Sequence, residues 1–281
     1  MRVIYDAWGQ MGNRLWEYLD LIAWAKINHS TSYSLFWDSS LRDFDNLRNN
    51  PYIKFPFYIN SIERNLLGRI YRRSLYIILH NKCVQHLFAS TLFSRLGFVS
   101  GRYAMFDHKF YPAVLNEIRV VLSPSKDIIS KIDSQFIQLR TSYDYLIVGV
   151  HIRKGDFRYF YNGYFFYEDN EYVDFMNQVI KIMTRPVKFI LVSNEKIDLN
   201  IYNQFDVIAF DNQKGIEDMY TLSKCDYIIG PYSTFSAWAS LYGDKPYCYF
   251  KRGNKISEKD FKVVEFLIPQ TEIVKEIPSN I

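Results

Sequence analysis

The sequence predicts an α/β protein built on mostly parallel sheets, and three observations carry that expectation. A continuous apolar run, Tyr145-Leu-Ile-Val-Gly-Val150, reads as a buried strand and ends abruptly in His151-Ile-Arg-Lys-Gly-Asp156. Beyond about residue 140 strand and helix patterns alternate at a short, regular rhythm, the mark of a mostly parallel sheet with helices on both faces. A second apolar run, Tyr227-Ile-Ile-Gly230, ends in Pro231-Tyr-Ser-Thr-Phe-Ser236, so the same strand-end arrangement occurs twice.

In chain order, residues 2–5 read as a first strand. Ala7-Trp-Gly-Gln-Met-Gly-Asn-Arg14 follows as a glycine-bearing turn into a helix, where Leu15, Tyr18, Leu19 and Ile22 recur at helical spacing. Gly12 lets the backbone approach a ligand closely and Asn13 offers an amide at the helix start; an ordinary strand–turn–helix with Asn as cap fits equally. Residues 38–62 are polar and Asn/Pro-rich, a loop with short elements. Asp43-Phe-Asp45 is formally an Asp-x-Asp, but no apolar strand leads into it and basic residues flank it, so no metal is predicted.

Residues 64–106 hold no acidic residue, yet Arg64, Arg69, Arg72, Arg73, Lys82, Arg95 and Arg102 are interleaved there with leucine and isoleucine. Such a basic amphipathic stretch suits peripheral contact with an anionic membrane face, where a lipid-linked acceptor would lie, or simply a solvated helix face. The run from 123 to Leu139 reads as a capped helix leading into the central strand, with a domain boundary near 140. Then come a helix over 171–184, strands over 187–192 and 205–210, a helix over 215–224, the strand at 227–230, a helix from Ser233 stopped by Gly243 as its C′ residue, and a strand over 246–250.

Composition narrows the function. At 281 residues the chain is one large domain or two ordinary ones, and 48% hydrophobic content excludes global disorder. Residues 1–140 carry 18 Lys and Arg against 11 Asp and Glu, while residues 141–281 carry 16 against 19. The basic excess is local, which speaks against a nucleic-acid-binding polycation. Three widely spaced cysteines, Cys83, Cys225 and Cys248, fit neither a disulfide framework nor a zinc knuckle and suit a reducing compartment. No signal-peptide core and no transmembrane run is visible, so the expectation is a cytoplasmic protein, with the inner membrane face as a peripheral site.

The two strand ends define candidate chemistry. At the first, the Arg153 guanidinium fork pairs phosphate oxygens and Lys154 adds a point charge, a combination suited to a diphosphate. At the second, Ser233, Thr234 and Phe235 open a helix whose N–H groups form an anion site, although any helix can have a Ser N-cap. Ser193 and Asn194, at the end of the strand 187–192, are further candidates for contact with the same ligand.

Gly9-Gln-Met-Gly-Asn-Arg-Leu-Trp-Glu-Tyr18, His151-Ile-Arg-Lys-Gly-Asp156, and Asp218-Met-Tyr with Cys225-Asp-Tyr-Ile-Ile-Gly-Pro-Tyr-Ser-Thr-Phe-Ser-Ala-Trp238 stand in the order seen in GDP-fucose-dependent fucosyltransferases. The set most resembles the bacterial α1,2-fucosyltransferases and is more distantly similar to the α1,6- and protein O-fucosyltransferases. The resemblance implies a GT-B glycosyltransferase with two facing Rossmann-like domains, here 1–140 on the acceptor side and 141–281 holding the GDP-sugar. It implies transfer of L-fucose from GDP-β-L-fucose with inversion, without a metal or other cofactor, to a glycan hydroxyl such as the 2-OH of galactose in surface polysaccharide or O-antigen synthesis. Arg153 would then contact the β-phosphate, His151 lie beside the nucleotide, Asp218 bind guanine, Ser233 and Thr234 meet the pyrophosphate, and Asn13 face the active centre. Asp156 is the first candidate general base by position, with Glu168 and Glu17 behind it; each taken alone is more readily a structural carboxylate that orients a cation. The chain departs from the family pattern at Lys154 (usually Arg), at Pro231-Tyr-Ser-Thr (usually Asn-Ser-Ser), at Arg14 (usually Gln), and in having Trp238 alone of two Trp. A transferase using another GDP-deoxysugar and a non-catalytic polysaccharide- or nucleic-acid-binding protein are the competing readings.

Overall fold

The computed structural model describes residues 1–6, 9–37, 39–59, 65–104, 109–140, 144–211, 213–269 and 272–273. Ala7 and Trp8 of the amino-terminal turn and Arg64 of the basic stretch lie outside them. The chain divides into two compact units, one of residues 1–125 with a return segment from Phe266, the other of residues 126–265. The division falls ahead of residue 140 because the helix over 126–139 is tied to the second unit. Lys131 pairs with Glu217 at 3.0 Å and Asp133 with Lys224 at 2.8 Å.

The first unit is a parallel sheet of short strands. Its elements are β1 (Arg2–Ile4), α1 (Met11–Ile27), β2 (Ser32–Ser34), α2 (Asp45–Arg48), β3 (Ile53–Lys54), α3 (Leu66–Leu79), α4 (Lys82–Phe88), α5 (Thr91–Arg95), β4 (Phe98–Val99), α6 (Gly101–Ala104) and α7 (Leu115–Val121), with sheet order β3-β2-β1-β4. Twelve of the 17 residues of α1 are buried, including charged ones. Arg14, beneath the face of Phe36, pairs with Glu17 and donates to the Asp6 carbonyl at 3.1 Å. The Asp6 carboxylate in turn accepts from Ser100 Oγ at 2.7 Å and Gly101 N–H at 2.6 Å, tying the ends of β1 and β4 together. Gly101 has to be glycine here, since a Cβ would stand 2.7 Å from the Glu17 carboxyl.

The second unit holds α8 (Lys126–Leu139), β5 (Leu146–Ile152), α9 (Asp169–Ile182), β6 (Val187–Ser193), β7 (Val207–Ala209), α10 (Gly215–Lys224), β8 (Tyr227–Gly230), α11 (Thr234–Gly243) and β9 (Tyr247–Tyr249). These strands pair in parallel in the order β7-β6-β5-β8-β9. The period-2 alternation of β5 sends its side chains to both faces. Val148, Val150 and Ile152 pack with Tyr172, Phe175, Met176 and Val179 of α9. Gly149 faces the other way, where an added Cβ would lie 2.6 Å from Leu222 and 2.9 Å from Cys225, so α10 sits directly on the strand.

One expected boundary is corrected. Gly243 is the last helical residue of α11, and the left-handed residue after it is Asp244 (φ 54°). Gly243 is small for a different reason: a Cβ there would collide with the Ser223 carbonyl of α10.

Two outcomes follow from this packing. Gly149→Ala overfills the β5–α10 contact and is expected to lower the unfolding free energy by about 1–3 kcal/mol, read as a lower denaturant midpoint at unchanged m-value. Burial, with Asp6 adding to it and Arg14 opposing it, raises the Glu17 carboxyl from 4.5 to about 8. A folded-state value above the unfolded one gives stability that is full below about 4.5 and is lost as pH rises through about 8, by up to ~1.4 kcal/mol per pH unit. Thermal unfolding against pH should therefore show Glu17→Gln matching the parent near pH ~5, gaining on it progressively up to pH ~8, and keeping a constant lead above that.

Candidate anion-binding site at the switch point

The strand order places a switch point between β5 and β8: the chain leaves β5 for β6 and β7, then returns to lay β8 along the other side of β5. In open α/β sheets ligands bind in the crevice outside the strand carboxyl ends at such a point. Pairing of Val150 with Ile229 brings the cluster at 151–156 beside the cluster at 230–236. Gly230 allows the approach, because a Cβ there would meet the His151 carbonyl oxygen at 2.7 Å.

His151 joins the two tips. Its Nδ1 is 2.8 Å from Ser236 Oγ and 3.4 Å from Ser233 Oγ, and Phe235 lies 4.9 Å from the ring centroid. Burial, then the charge of Arg153, pushes the imidazole down to about 3, so it is neutral at working pH. Ser233 caps α11 by accepting from the Ser236 N–H at 3.1 Å, and Thr234 and Phe235 form the helix's first turn beside that cap.

Arg153 is braced from several sides. Its backbone N–H donates to the Tyr172 hydroxyl at 3.0 Å, its guanidinium lies 5.1 Å from the Phe157 ring centroid, and Nη2 meets both oxygens of Asp156 at 2.8 and 3.0 Å. Asp156 is thereby engaged in orienting the cation. Lys154 is placed differently from the expectation of a second phosphate cation. Its ammonium is buried, 3.0 Å from both the Tyr167 carbonyl and Asp169 Oδ1, between the rings of Phe166 and Tyr172. Asn194 also braces the turn, its Oδ1 accepting from the Lys154 N–H at 2.8 Å, and Ser193 Oγ accepts from the Glu195 N–H at 3.1 Å. Behind the turn, Arg252 holds the Tyr164 carbonyl at 2.6 Å and Glu171 at 3.1 Å.

Asp218 stands in the first turn of α10, the helix that follows β7, and hence opens at the same edge of the sheet. Burial, then the adjacent Glu217 carboxylate, raises its carboxyl to about 7 against the pull of Lys131. That carboxyl takes part in no hydrogen bond or ion pair among the described residues. Of the remaining candidates, Glu168 starts α9, its N–H bonded to Glu171 at 2.8 Å, and Glu17 is sealed against Arg14. Gly12 and Asn13 lie in the first turn of α1, where a Cβ on Gly9 (φ 69°) would collide with the Asn13 amide. Among the described residues no group of three or more His, Cys, Asp or Glu is placed to hold a metal, and Asp45 of the Asp-x-Asp is paired with Arg48.

Sequence reasoning missed Tyr172 and Ser236 as site residues. Tyr172 reads from its spacing as one of α9's core positions, which it also is, and nothing local shows its hydroxyl reaching residue 153. Ser236 lies within the motif that follows β8, but only its pairing with a buried imidazole gives it a function.

Comparison with known proteins gives the fold and the family. No curated protein sequence matches the chain. Among solved structures, the NodZ α-1,6-fucosyltransferase soaked with GDP-fucose aligns with TM-score 0.52 and 17% identity over 90% of this chain and 96% of that one. POFUT1 in complex with GDP-fucose gives 0.54 and 10% over 88% and 96%, and Arabidopsis thaliana FUT1 gives 0.51 and 12% over 92% and 73%. At these identities the likeness establishes the fold, that of the GT-B-like fucosyltransferases. The model of Glycosyl transferase family 11 matches residues 8–246. The resemblance read from the sequence thus holds at the level of the family, and the chain belongs to glycosyl transferase family 11.

Proposed function

We propose that the protein transfers L-fucose from GDP-β-L-fucose to a glycan hydroxyl, with inversion and without a metal, and that the acceptor is the 2-OH of a galactose in a surface polysaccharide. The observation that carries the donor reading is the pairing of β5 with β8, which sets Arg153 and the Ser233-capped start of α11 side by side at the switch point. Breaking the bond between fucose and diphosphate leaves negative charge on the β-phosphate. A guanidinium already held by Asp156 and Phe157, next to the positive end of a helix, meets that charge with little reorganisation. His151 is a positioning residue, keeping the two tips together as a neutral imidazole that adds no competing charge. Asp218 supplies a carboxylate with no protein partner among the described residues, suited to accept the paired N–H donors of guanine. Incubation with GDP-fucose and a panel of galactose-terminated glycans, with products read by mass spectrometry, tests donor, acceptor and linkage together; no fucosylated product from any acceptor overturns the reading.

Two further outcomes are expected. A charge-assisted hydrogen bond is worth about 1.5–3 kcal/mol, so Arg153→Ala should cut kcat at least ~10-fold, with Arg153→Lys recovering little because an ammonium lacks the fork. Asp156→Asn should lower kcat while leaving the shape of the pH–rate profile unchanged; loss of its acidic limb would instead make Asp156 the general base. For Asp218 the sign follows from its raised value: the ionised form accepts guanine, and below about pH 7 a proton has to be expelled first. Affinity for GDP-fucose, whose diphosphate does not titrate in this range, should fall by up to ~10-fold per pH unit below 7 in calorimetry, and Asp218→Asn should bind weakly with no such slope.

A further inference from the structure

The first unit carries an apolar surface made of residues outside the two strand-end clusters. On α3, Leu66, Leu67, Ile70, Ile77 and Ile78 are 53–66% exposed. At 3.6 residues per turn they share one stripe, opposite the buried Gly68, Leu75 and Leu79, with Arg69 and Arg73 along its border. An ordinary surface helix turns polar side chains to solvent; this one turns aliphatic chains both inward and outward. The apolar surface continues in Leu87 of α4, Leu92 of α5 and Leu96 just after it, all more than half exposed, and neither helix buries any residue.

Charge identifies the occupant. Residues 64–106 contain no carboxylate and seven Lys or Arg. A second copy of the chain would have to bring this face against its own cations, because a two-fold contact sets a patch on itself. An anionic bilayer removes that conflict: its headgroups meet the arginines while leucine and isoleucine enter the acyl boundary. At 14 residues α3 lies along such a surface rather than crossing it, and among the described residues no helix is long and apolar enough to span a membrane.

We propose that the α3–α5 face of the first unit docks on an anionic lipid surface, with the stripe from Leu66 to Ile78 as its inserted edge. Exposure and charge alone support this docking, which stands apart from the donor reading. The test is co-sedimentation of the full chain with phosphatidylcholine vesicles, with and without phosphatidylglycerol, beside its oligomeric state from light scattering. Binding to the anionic vesicles should be at least about tenfold stronger and should weaken with salt. Leu67→Glu with Ile78→Glu, and separately Arg69→Ser with Arg73→Ser, should each lose at least about tenfold while keeping the parent's melting temperature. If the Leu67/Ile78 pair is not tolerated, the arginine pair decides alone. No preference for anionic vesicles, no effect of either pair, or a dimer that the Leu67/Ile78 variant disperses would falsify the proposal, the last by naming a second copy as the occupant.

Discussion

The site depends on how closely β8 can run beside the end of β5. Gly230 leaves no room for a side chain against the His151 carbonyl, and the His151 imidazole closes the gap by bonding the Ser236 hydroxyl inside the first turn of α11. That bond fixes where α11 begins relative to Arg153. It needs a neutral ring, because an imidazolium would be desolvated and would face the arginine's charge, and both effects act in the same direction. A strand pairing, one missing Cβ and one uncharged histidine therefore put a cation and a helix start on the same crevice.

Arg153 and Lys154 are adjacent and both cationic, yet they do different work. Alternation along an extended backbone sends neighbouring side chains to opposite sides. Arg153 remains at the tip under Asp156 and Phe157, while the Lys154 stem runs inward to Asp169 and the Tyr167 carbonyl. A compact ammonium fits between the faces of Phe166 and Tyr172, where it gains cation–π attraction and satisfied hydrogen bonds in place of water. Through Lys154 the carboxyl end of β5 is anchored to the start of α9, whose Tyr172 hydroxyl in turn holds the Arg153 backbone. One basic residue of the pair stays at the crevice and the other secures the turn that carries it.

How much of this the sequence disclosed varies with the length of each element. In the second unit the central strands are largely buried on both faces, so β5 and β8 read as apolar runs and β6 as one broken only by Lys188. In the first unit β3 and β4 have two residues each, too few for any period, and β2 is Ser-Tyr-Ser. Ser32 and Ser34 give no strand signal because their burial depends on partners distant or irregular in sequence, the Leu21 and Phe36 carbonyls. The clusters at 151–156 and 230–236 were legible as candidate sites, since a buried parallel strand delivers whatever follows it to the sheet edge where ligands bind, and here charge and hydroxyls follow it. The roles within them were not: whether a lysine faces ligand or core depends on rings at 166 and 172, which local pattern does not connect to it.

The two raised carboxyls show how burial can serve structure in one place and a site in another. Glu17 is sealed in α1 with Arg14 against it and Gly101 closing over it, so its strain is confined among groups that hold β1 to β4. Asp218 pays a similar desolvation penalty with no cation in contact and no hydrogen bond among the described residues, in the first turn of a helix at the edge where the strand tips converge. Glu17 is fully enclosed, with Oε2 met by Arg14, and belongs to the fold. Asp218 is half-buried at a sheet edge where a ligand can reach it, which is why the donor proposal gives it, rather than the fully enclosed Glu17, a partner from outside the chain.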